Sequence, residues 1–172
     1  MTRNKPRLQV ALYARPKHPG TYHYAIFISP KLNYESRKNK KGVLSSPWRF
    51  ERVVIADMSV DPRLLVVVTI GKLAPRSSVE SIERYLVEKI PIFQEGEIHE
   101  GSDFDCVSWT KKAVQILGRD GLVQGVGRWD KIRAVAVKFV ETKRMEGRWE
   151  VGWKGEKRVP TLDVSDGREF VT

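Results

Sequence analysis

Cys106 is the one cysteine of this 172-residue chain, and it follows Asp105 where the sequence reads as the start of a helix. Unpaired amides and the helix macrodipole stabilise negative charge at such an end, so a thiol there is placed to attack a carbonyl. A thiol nucleophile needs a base. Of the three histidines, His18 and His99 fall in apparent loops, while His23 lies within a strand, on the same face as Ala25 and Phe27. Glu51 is the candidate third member that would orient the base, and Tyr13, Tyr24, Trp48 and Trp109 are the candidate lining of a pocket for a small, largely apolar substrate. Each also has a plainer role: core cysteine, sheet histidine, solvent-facing glutamate, core aromatics. Asp103 and Asp105 add negative charge beside the thiol and oppose the helix effect.

The elements that must position these residues follow from hydrophobic periodicity. Leu8, Val10 and Leu12 alternate with Gln9, Ala11 and Tyr13, the period of a half-buried strand; Pro16, Pro19 and Gly20 mark a turn, and residues 21–29 form a strand apolar on both faces. Residues 30–47 read as a basic loop, and further strands are expected over 48–56 and 64–70. Four sequential strands with short connections suggest an antiparallel meander. Ser77-Ser78-Val79-Glu80 has a capping-box pattern before Val79, Ile82, Leu86 and Ile90, with Pro91 as the stop. Asp105 caps a second helix with Cys106, Trp109, Ala113, Ile116 and Leu117 on its apolar face and Gly118 as its stop. A third begins near Asp130, burying Ile132, Val135, Phe139 and Val140.

The fold class expected is α+β: an antiparallel sheet of four or more strands against about three helices. Residues 1–146 make one domain, and 147–172 are a basic C-terminal tail, open to three readings: a short strand, a cover over an apolar groove of the domain, or partial disorder. The apolar run Leu64 to Ile70 is too short to cross a bilayer, which takes about 20 residues, and the N-terminus lacks a signal-peptide core, so the default compartment is the cytoplasm. A lone cysteine forms no internal disulfide and makes a thiolate metal site implausible; no metal and no cofactor are expected. The net charge of +10 invites an anionic partner, but it is spread among glutamates apart from Arg37–Lys41, and no nucleic-acid-binding signature accompanies it. The partner expected is a small molecule, not nucleic acid or a spanned membrane, and the oligomeric state is left open.

Thr21-Tyr22-His23-Tyr24-Ala25-Ile26-Phe27-Ile28 resembles the histidine strand of circularly permuted papain-like enzymes such as the lecithin-retinol acyltransferase and phospholipase-acyltransferase group, and Phe104-Asp105-Cys106-Val107-Ser108-Trp109 resembles their cysteine helix. The layout over about residues 7–142 also resembles a fungal family of small proteins, through Tyr22-His23-Tyr24, Pro30-Lys31, Trp48-x-Phe50-Glu51, Ile70-Gly71-Lys72, Ile90-Pro91-Ile92 and Cys106-x-x-Trp109. The resemblance implies a permuted papain-like fold with His23 and Cys106 as base and nucleophile. The sequence departs from it at Lys40–Ser46, which has no histidine where such relatives carry an aromatic–His pair.

Three functions follow as expectations. The first is a thiol acyl hydrolase or acyltransferase, His23 taking the proton of Cys106. The second is an enzyme of fungal secondary metabolism that shapes an apolar substrate for cyclisation, isomerisation or cycloaddition without covalent attack. The third is a non-enzymatic protein whose basic loop 37–41 meets an acidic partner.

Overall fold

The computed structural model describes residues 5–29, 61–90 and 105–171. The strand expected over 48–56, with Trp48 and Glu51, lies outside the described residues, as do the basic loop 37–41 and His99. Strands β1 (Arg7–Ala14), β2 (Tyr22–Ser29) and β3 (Leu64–Leu73) precede helices α1 (Val79–Lys89) and α2 (Cys106–Arg119); β4 (Val123–Gln124), α3 (Trp129–Met145), β5 (Pro160–Asp163) and β6 (Glu169–Val171) complete the order. The architecture is α+β: among the described residues, a six-stranded, mostly antiparallel sheet with three helices.

The sheet runs β2-β1-β3-β5-β6, with β4 also on β3. The first strand is therefore not the edge that a meander would make it: β1 is paired antiparallel on one side with β2 and on the other with β3. Burial explains why. β1 carries Leu8, Val10, Ala11 and Leu12, all fully buried, and a strand apolar on both faces belongs inside a sheet. The β1–β3 register shifts twice, between Leu8 and Gln9 and between Leu12 and Tyr13, and at the latter Leu65 and Val66 both join the main core. Gly71 is required where β4 closes on β3, since a Cβ there would stand 2.8 Å from the Gln124 carbonyl oxygen and from Val123 Cγ1.

The segment read as a tail continues the sheet. β5 pairs parallel with β3, Val67 opposite Thr161, and β6 pairs antiparallel with β5. Lys143, buried on α3, ties this end down through ion pairs to Glu169 of β6 at 2.6 Å and to Glu146 at 3.0 Å. Burial acts to lower its pKa, but the two carboxylates outweigh that and leave it raised. A boundary at residue 146 thus cuts through one sheet.

The helices start where the sequence places their caps, with corrections in detail. Ser78 caps α1 and its reciprocal partner is Ser81, not the Glu80 of the Ser77 pattern. Asp105 caps α2, accepting from Ser108 N at 2.7 Å while Ser108 Oγ accepts from Asp105 N. Gly118 does not end α2. It lies inside the helix, where a Cβ would meet Val126 at 3.3 Å, and the chain leaves at Gly121, with φ +73°. All three helices contribute to one core with the sheet face bearing Leu12, Tyr22, Tyr24, Val66 and Val68.

Candidate functional site

Alternation along β2 decides which chemical groups can meet. Successive side chains of a strand point to opposite faces. Tyr22 and Tyr24 are buried in the core shared with the helices, whereas His23, between them, projects to the other face with Ala25 and Phe27. Cys106 is in the helix-side core, on the α2 stripe Cys106, Thr110, Ala113, Val114 and Leu117. The sheet therefore stands between His23 and Cys106, and the expected base–nucleophile pair is not assembled. The reason is the parity of β2: the large tyrosines take the core side, and their odd-numbered neighbour is turned away.

The candidate aromatic lining divides in the same way. Tyr24 is buried against Trp129, ring centroids 5.9 Å apart, and Trp109 packs at the margin of the same core. Tyr13 belongs to the face of His23 and is its direct partner across the β1–β2 ladder. Among the described residues the Cys106 thiol has no hydrogen-bond partner, and what surrounds it is the apolar core. Tyr22 donates its hydroxyl hydrogen bond to Glu141 Oε1 of α3, and Arg144 donates to the same carboxylate at 3.1 Å, so this residue fastens strand to helix.

The His23 face is built in rows. Tyr13 opposes His23, Ala11 opposes Ala25 and Gln9 opposes Phe27, and β3 extends the rows with Leu64, Val67 and Thr69. The rings of Tyr13 and Phe27 lean towards each other over the small Ala11–Ala25 row and meet edge to face, 6.3 Å between centroids at 75°. Deeper in, Gln9 Nε2 donates to Thr69 Oγ1 at 3.0 Å, while Gln9 Oε1 is buried without a partner among the described residues. Arg63 sits at the other end: Ala14 N donates to its carbonyl at 2.7 Å, and its own N–H donates to Asp61 Oδ1 at 3.0 Å.

This setting holds both polar groups neutral. His23 has an exposed surface, yet its imidazole has lost enough water for its pKa to be lowered, with Arg15 and Arg63 adding to the effect. Burial, then Asp61, push the Tyr13 hydroxyl up to about 12, against an opposing pull from Arg63. A neutral imidazole accepts a proton and a neutral phenol donates a hydrogen bond. Directly opposed residues have Cβ atoms about 4.5–5.5 Å apart, so one small molecule can touch both.

Sequence reasoning marked His23, Tyr13, Ala25 and Phe27 but missed Gln9, Arg15 and Arg63. Gln9 alone left a signal, a polar residue within an apolar strand. Among the described residues no group of acidic, histidine and cysteine side chains could hold a metal ion. No helix there is long and apolar enough to cross a membrane. No curated protein and no solved structure matches the chain. The model of a family of unknown function, DUF6914, matches residues 5–171, and the chain belongs to that family.

Proposed function

We propose that this protein is a non-covalent catalyst that holds a small, largely apolar carbonyl compound on the His23 face of its sheet and isomerises it by moving a proton. The opposition of His23 and Tyr13 across β1 and β2, both held neutral, is the observation that carries the reading. His23 removes a proton from the α carbon of a β,γ-unsaturated carbonyl, Tyr13 donates a hydrogen bond to the oxygen as the dienolate forms, and His23 returns the proton at the γ carbon as the double bond moves to α,β. The edges of Tyr13 and Phe27 supply the apolar contact. The layout that resembles permuted papain-like proteins is kept in this reading, while thiol acyl transfer is not: it needs a base on the helix side of the sheet, and His23 faces away.

Two chromogenic probes test it. 5-Nitrobenzisoxazole loses its ring C–H proton to a base as the N–O bond breaks, giving a cyanophenolate. Its turnover should fall to the buffer rate in His23→Ala and persist in Cys106→Ala. p-Nitrophenyl butyrate should leave no butyryl group on Cys106 by intact mass. A stoichiometric burst with acylated Cys106, or benzisoxazole turnover indifferent to His23, would overturn the proposal.

A further inference from the structure

Among the described residues, two buried side-chain oxygens lack a hydrogen-bond partner, Thr110 Oγ1 and Gln9 Oε1. Thr110 is enclosed on the helix side of the sheet, but Gln9 shares a face with His23 and Tyr13. The β1–β2 ladder runs from Arg7–Ser29 to Ala14–Tyr22 without a register shift, so Gln9, Ala11 and Tyr13 stand on one face, beside Phe27, Ala25 and His23. Gln9 is 4% exposed, in a strand whose other buried positions, Leu8, Val10, Ala11 and Leu12, are all apolar. Leucine or methionine would fill the same space with no amide to satisfy. One end of the amide is accounted for, since Nε2 donates to the buried Thr69 Oγ1 at 3.0 Å. The other end has lost water and gained nothing, a cost that is recovered when a bound molecule completes it. Turning the amide over only exchanges the two ends. A hydroxyl suits either orientation, because it both donates and accepts.

The strand sets how far that hydroxyl stands from the reacting carbonyl. Gln9 and Tyr13 are four residues apart, about 13 Å between their Cα atoms. The row between them is low, Ala11 beside Ala25, and the Tyr13 ring leans across it towards Phe27, the residue opposite Gln9. An extended chain of about ten carbons covers the distance. We infer that the substrate of the His23 face is an unsaturated ketone with a hydroxyl at the far end of an apolar chain, its carbonyl at Tyr13 and its hydroxyl on the Gln9 amide. This rests on His23 and Tyr13 as the reacting pair. Phe27, partly buried, shifts along the row as the chain enters and packs against it. Gln9 is thereby a specificity residue: it holds the substrate remote from the bonds that change and so fixes which carbon lies at His23.

The probes are dec-4-en-2-one and its terminal alcohol, 10-hydroxydec-4-en-2-one, with isomerisation followed by the ultraviolet absorbance of the conjugated product. The full chain should turn over the alcohol with kcat/KM at least about tenfold above the plain ketone, the size expected of one hydrogen bond to a buried group. That preference should disappear in Gln9→Leu, and in Gln9→Met, which keeps the length of the side chain and serves if the leucine variant does not fold. The native chain is decisive even without a variant. Equal turnover of the two ketones by a chain that needs His23 is the result expected if the amide is completed by a buried water alone. That result, or a preference that survives loss of the amide, would overturn this inference and leave the catalytic reading standing. Turnover of neither ketone, or turnover indifferent to His23, would overturn both.

Discussion

The two faces of the sheet are made from the same strands and carry opposite chemistries. The helix side is filled with Leu8, Leu12, Val66, Val68 and Ile132, and the Cys106 sulfur belongs to the same core. The far side carries Ala11, Val67 and Val159 with a buried amide, a phenol and an imidazole. Two neighbours on one strand, Leu12 and Tyr13, thus serve different ends. One supplies buried volume; the other presents a phenol opposite His23 on the far face. A cysteine can begin a helix, where a nucleophile is often found, and still be isolated, because the face of the histidine strand, not proximity in sequence, decides what it meets.

The contrast can be broken at three depths. Leu12→Ala strikes the helix side, where a fully buried leucine leaves a cavity, and should cost about 2–5 kcal/mol in urea unfolding. A loss under about 1 kcal/mol would mean that this core is loosely packed and the contrast overstated. Thr110→Val is the subtler probe of the same side. Thr110 is fully buried and its hydroxyl has no partner among the described residues, so an isosteric methyl should leave stability unchanged or raise it by about 1 kcal/mol. Destabilisation would show that the hydroxyl has work to do beside Cys106.

The smallest effect belongs to the far side and to pH. The folded value of His23 lies below its ordinary 6.5, so between the two the unfolded chain binds more protons, and stability rises with pH. The contribution is complete above 6.5 and is lost as pH falls through the folded value. Asp61 and the arginines 15 and 63 are the charges in the imidazole's surroundings. Urea midpoints at pH 7.5 and 5.5 should therefore differ by slightly more in the native chain than in His23→Asn. Equal differences would place His23 in an environment no drier than water.

Much of the local structure was legible in the sequence. The alternation in residues 8–14, the Asp105 cap and the Ile132–Phe139–Val140 stripe each resolve to an element within a residue or two. What stayed hidden was relational. β2 is apolar at odd and even positions alike, so periodicity could not say whether His23 or the tyrosines face the helices. β5 was concealed by its brevity, its leading proline and the charges around it, since its stability comes from β3 and not from a pattern of its own. Gly118 looked like a stop because a glycine near a helix end usually is one; its real constraint, the nearness of Val126, is tertiary.

The pairing of β5 beside β3 also bears on how the molecule is made. Leu64 to Ile70 is an almost wholly apolar strand, and the partner of its middle, Thr161, emerges from the ribosome only after α1, α2 and α3. Contacts this distant in sequence form slowly, because a long loop must close before they repay its entropy. Until they form, the growing chain carries an unpaired apolar edge open to neighbouring chains. The late strands thus leave this edge of β3 open through synthesis and cover it only once they are made.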